Sequence, residues 1–482
     1  MTTDPAAQLL ALADAAPARD PATAPPAPVK KGEFDFTDVG NGFLFADMFA
    51  DAVKFCPPEK RWYAWDGKRW APDATREAVR CAKRLGLAKL HEAIGIADPD
   101  AQKRAIKHWL KSQSAGGVDA MLAMASSELP LVVLPVALDS DPWLLNVANG
   151  VLDLRTGRLR PHRREAMMTR LCPVEYRADA DQGEWLRFLE RVVPDPAART
   201  FLQRAVGYSL TGDTREETLF FVCGPTASGK STFAEAVKTI LGDYGATCDF
   251  ETFLRRPSSG GPRNDIARLH GARLVVGVEV EKGQRLAEGL VKTLTGGDKV
   301  AARFLYQEAF EFVPQFKLWL VANDRPRAAD DDSALWRRIL LMPFDHTIPE
   351  AERDPAVKAR LRDPALGGPA VLAWAVQGCL AWQRDGLQVP EVVRRATQQY
   401  RVENDPLADW LKERCELVPM SETPFRDLYA NYKNWAESAG CRPIGGKTLG
   451  LRLEAMHLTR ARVGSERSRV YRGIGLRSSC GG

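Results

Sequence analysis

One octapeptide in this chain has the residue types and the spacing to hold a polyphosphate. Gly224-Pro225-Thr226-Ala227-Ser228-Gly229-Lys230-Ser231 fits GxxxxGK[ST] without deviation. Glycines let such a loop wrap closely, so that backbone N–H groups point at phosphate oxygens, and the helix that follows adds the positive end of its dipole. Lys230 would reach the β- and γ-phosphates, the Ser231 hydroxyl would ligate Mg²⁺, and Thr232 completes the candidate set. The chemistry implied is binding and hydrolysis of ATP with Mg²⁺. The context agrees: an apolar run, Leu219 to Cys223, precedes the loop and a helical pattern, Thr232 to Leu241, follows it.

A phosphate cradle needs an acid to hold the metal and activate water. Leu274 to Val280 is an apolar run carrying Glu279 and ending beside Glu281. Alternation along a strand puts the two glutamates on one face, with Val278 and Val280 on the other. A third apolar run, Leu318 to Ala322, ends at Asn323. That amide could position water or sense the γ-phosphate, and Asn at a strand end is also a common turn former. Arg337 and Arg338 follow Asp330-Asp331-Asp332. An arginine given to a neighbour's γ-phosphate stabilises charge in phosphoryl transfer; from the residues alone, a surface pair solvating a helix end is the simpler reading.

These residues need strands to carry them. Three runs this apolar suit the centre of a parallel sheet covered on both faces, with its ligands at the C-terminal strand ends. Around that core the pattern predicts an Ala/Pro-rich disordered tail over 1–32 and an accessory region over 33–200. In the latter, Arg61 to Trp70 reads as a hairpin around Asp66-Gly67, 74–128 as helical, Leu144 to Leu159 as strand-turn-strand and 184–210 as helix. The P-loop core spans 201–350, a helical extension 351–404, and a terminal domain 405–482 of helix, helix and short strands.

Length alone, at 482 residues, predicts two to four domains. With 45% hydrophobic and 27% charged residues, no apolar run approaching a membrane span and no secretory leader pattern, the expected place is a cytoplasm, and no membrane partner is expected. Nine cysteines without a CxxC pair argue against a zinc site. The net charge of +5 is mild, but residues 423–482 hold eleven Lys/Arg against four Asp/Glu, which leaves the rest of the chain at −2. A basic terminal domain points to a polyanionic partner; a solvated tail is the plain alternative.

In order and spacing, these pieces resemble superfamily 3 helicases of the phage/plasmid primase family, to which the poxvirus primase-helicase is also similar. The resemblance rests on the P-loop and on Arg273 to Glu281 followed by Gly283-Gln284-Arg285-Leu286. It continues through Lys292 to Asp298, Ala302 to Tyr306, the strand ending at Asn323, and Trp336-Arg337-Arg338 to Phe344. It implies an AAA+-type α/β ATPase core, a helical/β accessory region and a C-terminal winged helix. The working form implied is a ring, a homo-hexamer that encircles DNA, encoded by a phage, plasmid or integrated element in a bacterial cytoplasm. Carried over by position, Glu279 matches the magnesium-associated acid, Asn323 the sensor and Arg338 the trans-acting finger, with Arg337 its rival; which of Glu279 and Glu281 polarises water stays open. The segment Lys299 to Phe312 matches a channel hairpin, where Lys299, Arg303, Phe304 and Tyr306 would grip a single strand through phosphates and stacked bases. Inward packing of those aromatics reads as well from the residues. The terminal domain would take duplex DNA. The residues ahead of the accessory strands show no clustered Asp-x-Asp or His motif suited to nucleotidyl transfer, so a separate primase or polymerase is an expected partner. An origin-binding initiator whose ATP site controls assembly is the alternative function, as is another P-loop DNA-processing ATPase.

Overall fold

The computed structural model describes residues 36–254, 263–278, 284–304, 308–328, 333–404, 406–439, 443–463 and 468–477. Glu279, Glu281, Tyr306, the acidic run at 330–332 and the tail over 1–32 lie outside the described residues. The chain divides into two compact units, one bounded by Met1–Trp65 and Pro72–Pro135, the other by Asp66–Ala71 and Val136–Gly482.

In the first unit, α1 (Asp38–Phe49) starts where the Thr37 hydroxyl accepts from Gly40 N at 3.1 Å. Strands β1 (Val53–Cys56) and β2 (Arg61–Trp65) pair antiparallel, Val53 opposite Ala64. The helical pattern over 74–128 is three helices: α2 (Glu77–Ile94), α3 (Pro99–Ser112) and α4 (Ala115–Ala125). Local chemistry makes the breaks: α2 stops at Gly95, Asp98 caps α3 with Pro99 in its first turn, and Ser114 caps α4. Phe45, Leu85, Trp109 and Met121 fill the core between them.

The second unit opens with Asp66 Oδ1 accepting from the backbone N of Lys68 and Arg69, both at 2.8 Å, a turn that leads into β3 (Trp70–Pro72). The expected strand-turn-strand at 144–159 is three antiparallel strands, β4 (Leu144–Val147), β5 (Gly150–Asp153) and β6 (Arg158–Arg160). The single helix expected over 184–210 is two, α5 (Gly183–Val192) and α6 (Pro196–Leu210). Pro194 interrupts the helical run, and Asp195 restarts it by accepting from Ala198 N at 2.9 Å.

At the centre lies a five-stranded sheet in the order β13-β7-β12-β9-β8, every neighbouring pair parallel. Its strands are β7 (Leu219–Cys223), β8 (Gly245–Asp249), β9 (Leu274–Val278), β12 (Lys317–Ala322) and β13 (Ile339–Pro343). β7 and β12 are buried along their whole length, as their apolar runs require, and the one charge among them, Lys317 at the start of β12, donates to the carbonyls of Thr211, Asp213 and Gln315. One core covers one face with α5, α6, α7 (Lys230–Leu241) and α10 (Gly368–Asp385); Trp319 packs at a tilt against both Phe220 and Phe233 there and donates its indole N–H to Ser209 Oγ at 3.0 Å. A second core covers the other face, reaching from Phe253 to Tyr400. Beyond β9 come α8 (Glu288–Thr295) and the hairpin of β10 (Val300–Ala302) with β11 (Phe310–Phe312). The extension holds α9 (Pro355–Leu361), α10 (Gly368–Asp385) and α11 (Glu391–Glu403).

The terminal segment has its own core of Trp410, Leu428, Tyr432, Leu449, Leu453 and Tyr471. It runs α12 (Pro406–Arg414), β14 (Cys415–Glu416), β15 (Glu422–Pro424), α13 (Phe425–Ser438), α14 (Gly446–Ala455), β16 (Thr459–Val463), β17 (Ser468–Arg472) and β18 (Gly475–Leu476). The strands form a sheet in the order β15-β17-β16 and a short pair β14-β18. Among the described residues no helix is long and apolar enough to cross a membrane, and no cluster of three or more His, Cys, Asp or Glu is placed to hold a metal.

Candidate active site

The loop 224–229 leaves the C-terminal end of β7 and enters α7 at Lys230. Neighbouring elements clamp it. Phe344 N donates to Cys223 O at 2.8 Å, which brings the chain after β13 so close that a Cβ on Gly224 would collide with the Phe344 carbonyl. Gly229 sits at φ +83, and a Cβ there would stand 2.5 Å from Val192 Cγ1 at the end of α5. Ala227, at φ +62, accepts from Ile348 N at 3.0 Å. These contacts hold the loop against both the sheet and the preceding helix, so its shape is fixed by tertiary packing as well as by its glycines.

Lys230 is only 6% exposed. Its ammonium donates to Gly224 O at 2.7 Å, Pro225 O at 2.6 Å and Ser228 Oγ at 3.1 Å. Burial among neutral acceptors pushes its pKa below the ordinary lysine value. Pro225 and Thr226, at the loop tip, are exposed; Thr232, half-buried, is not among the residues lining the cleft beside the loop.

That cleft measures about 870 Å³ and is lined by Lys230, Ser231, Val278 and Asn323, with Asp249, Glu251 and Asp324 on its walls. The sheet brings them together: Val321 of β12 lies opposite Val278 of β9, and Asp249 of β8 lies opposite Val278 on the other side. Lys230, Ser231 and Asn323 therefore share one cavity at the C-terminal edge. Sequence reasoning missed Asp249 and Glu251, because β8 is a half-exposed edge strand, Gly-Ala-Thr-Cys-Asp, without the apolar run that marks the central strands. Asp324 was visible only as a loop residue after Asn323.

The two arginines stand apart from this cleft, at the start of β13. Arg338 is 8% exposed. Its Nη2 donates to Glu217 Oε2 at 2.6 Å and its Nη1 to Ala334 O at 2.8 Å, so its guanidinium is engaged within its own chain. The Arg337 side chain is 66% exposed and touches the same Glu217 oxygen at 3.3 Å. In the β10–β11 hairpin, Lys299 and Arg303 are exposed, whereas Phe304 is half-buried and stacks on Phe310 at 5.5 Å. The aromatic packs inward and the charges face out.

Three families match in succession: residues 43–194 fit "D5 N terminal like", 222–338 "Family of unknown function (DUF5906)" and 402–461 "Poxvirus D5 protein-like". The chain is 29% identical over 328 residues to the protein named "Putative helicase L207/L206" of Acanthamoeba polyphaga mimivirus, covering 62% of this chain and 34% of that one. It is 25% identical over 383 residues to "Putative helicase 022R" of Frog virus 3 (isolate Goorha), covering 62% and 39%. The chain thus spans little more than a third of the length of these relatives. The apo structure of the NrS-1 C terminal region shares the fold, with a TM-score of 0.50 at 11% identity over 90% of this chain and 99% of that one. Fold and site define a mixed α/β protein with a P-loop at the edge of a parallel sheet. Within that class, the chain is similar to D5-like proteins and to putative viral helicases, in keeping with the resemblance that its motif order carries. The expected source is corrected: these relatives belong to viruses of eukaryotic hosts, which overturns a phage or plasmid protein in a bacterial cytoplasm.

Proposed function

We propose that this chain is the ATP-hydrolysing motor of a replicative DNA helicase, with an AAA+-type core that works as a homo-hexameric ring. The observation that carries the reading is the convergence of Lys230, Ser231 and Asn323 on one cleft from two adjacent parallel strands. Lys230 rests on neutral acceptors of its own loop, and the β- and γ-phosphates of ATP offer its charge anionic partners at the same place. The Ser231 hydroxyl, with Glu279 or Glu281 beyond the end of β9, would hold Mg²⁺, which supplies charge neutralisation at the phosphates when bound. Asn323 orients the attacking water, and a neighbouring subunit's exposed Arg337 takes the finger role better than Arg338, whose guanidinium is occupied.

On this reading 33–200 is an accessory domain, 201–350 the motor, 351–404 a helical extension and 405–482 a winged helix for duplex DNA. Lys299 and Arg303 would contact the phosphates of the strand in the channel. A separate primase or polymerase would complete the replication machinery. The test is strand displacement on forked DNA with ATP: wild type should unwind and Lys230→Ala should not. ATP turnover by wild type without strand displacement under any fork geometry would favour an origin-binding initiator instead.

A further inference from the structure

The terminal domain carries a notch of about 490 Å³ between the start of α13, the start of α14 and the β16–β17 hairpin. Phe425 and Tyr429, one helical turn apart, form an aromatic wall with ring centroids 6.1 Å apart and planes within 12° of parallel. Both are only half-buried. Lys447, Arg460 and Arg469 stand around it, and among the described residues that line it the one acid is Glu454, which already lies 3.8 Å from Arg460 and 3.6 Å from Arg469. The guanidinium of Arg469 sits 4.2 Å from the Phe425 ring centroid, and Nη2 donates to Tyr471 Oη. Its buried Nε has no hydrogen-bond partner among the described residues. The floor is opened by Gly446: a Cβ there would rest 3.5 Å from Phe425 Cε1 and 3.8 Å from Tyr429 Cε2, so any larger side chain would lie across the rings.

We propose that this notch receives one unpaired nucleobase of a single strand, stacked on Phe425 and Tyr429, with Lys447 and Arg460 on its flanking phosphate. A duplex offers its bases edge-on in the grooves and keeps their faces stacked, so an exposed aromatic wall is of little use to it. An unpaired base offers a π-face that any aromatic can take, and cations beside the wall suit the backbone that accompanies it. A lone acidic peptide would use the cations but not the stacked rings. The proposal rests on the reading of this domain as DNA-binding, and refines it: the domain would meet the junction of duplex and single strand.

The experiment measures binding by fluorescence anisotropy, with the full chain at one fixed salt concentration. The probes are a blunt duplex and the same duplex bearing a single-stranded arm. Gly446→Leu, which fills the notch, and Tyr429→Ala, which removes half of the wall, should each weaken binding of the armed duplex by about tenfold and change the blunt duplex by less than about twofold. Melting temperatures equal to wild type show that the domain still folds, and two unrelated variants guard against one failing. Equal losses on both probes would make the notch a duplex contact, and no loss on either would leave it without nucleic acid; both results overturn the proposal. An RNA arm and a free mononucleotide distinguish the source of the base: variant-sensitive binding of either supports a base site and identifies where its base comes from. Because no hydrolysis is read, a chain that failed to unwind DNA could still pass or fail this test.

Discussion

Substituting Arg337 and Arg338 separately splits structure from catalysis. Arg338→Ala removes a side chain that is 8% exposed, and with it a charge-assisted hydrogen bond to Glu217 and one to Ala334 O. The Glu217 side chain is 41% exposed, so water replaces much of what that bond supplied, and the loss is about 1 kcal/mol, well below a fully buried pair. Burial of the aliphatic stem adds about 1–2 kcal/mol. A total near 2–3 kcal/mol should lower the melting temperature by roughly 3–4 °C in a unit of this size. Arg337→Ala removes an exposed side chain and should change stability by less than about 0.5 kcal/mol. If Arg337 is the finger, its removal should cut ATP turnover by about 100-fold or more while nucleotide affinity stays within about twofold. Melting curves, nucleotide titration and steady-state hydrolysis, measured on both variants, give the comparison. Mixing Arg337→Ala with Lys230→Ala should restore part of the turnover, since a mixed interface pairs an intact loop with an intact finger. An Arg338→Ala protein that melts like wild type yet loses turnover, beside an Arg337→Ala protein that hydrolyses ATP normally, would refute this division of roles.

Other substitutions probe the loop and its surroundings. Lys230→Ala should abolish hydrolysis and also lower stability by about 1–2 kcal/mol, because three hydrogen bonds to the loop go with it; an unchanged melting curve would show that those bonds contribute nothing. Gly224→Ala forces a Cβ onto the Phe344 carbonyl, and overpacking of about 1–3 kcal/mol should appear as a lower melting temperature and weaker ATP binding, read by calorimetry. Removing 405–482 should weaken duplex binding and flatten its salt dependence by close to one log–log unit for each phosphate the domain neutralises, with ATP turnover kept; equal slopes for both forms would exclude this domain from duplex binding. Arg303→Ala should lower single-strand affinity several-fold with no change in melting temperature, because that side chain is exposed, and anisotropy with an oligonucleotide checks it.

The local chemistry was legible in the residues themselves. The P-loop needs glycines at fixed places and a buried strand before it, and both are written in consecutive residues, so Lys230 and Ser231 could be named without coordinates. The strands of Phe221, Val276 and Leu320 were legible for the same reason: a strand covered on both faces carries a near-continuous apolar run. Edge strands carry no such constraint, which is why β8 went unread and Asp249 and Glu251 with it. Tertiary structure alone decided which strand lies beside which, and hence that Asn323 shares a cleft with Lys230 although 93 positions separate them along the chain. It also decided between neighbours that look alike in sequence. Arg337 and Arg338 are adjacent, identical in type and both in reach of the same Glu217 oxygen, yet the Arg338 side chain is 9% exposed and the Arg337 side chain 66%, a difference that packing around the start of β13 makes and the sequence does not show.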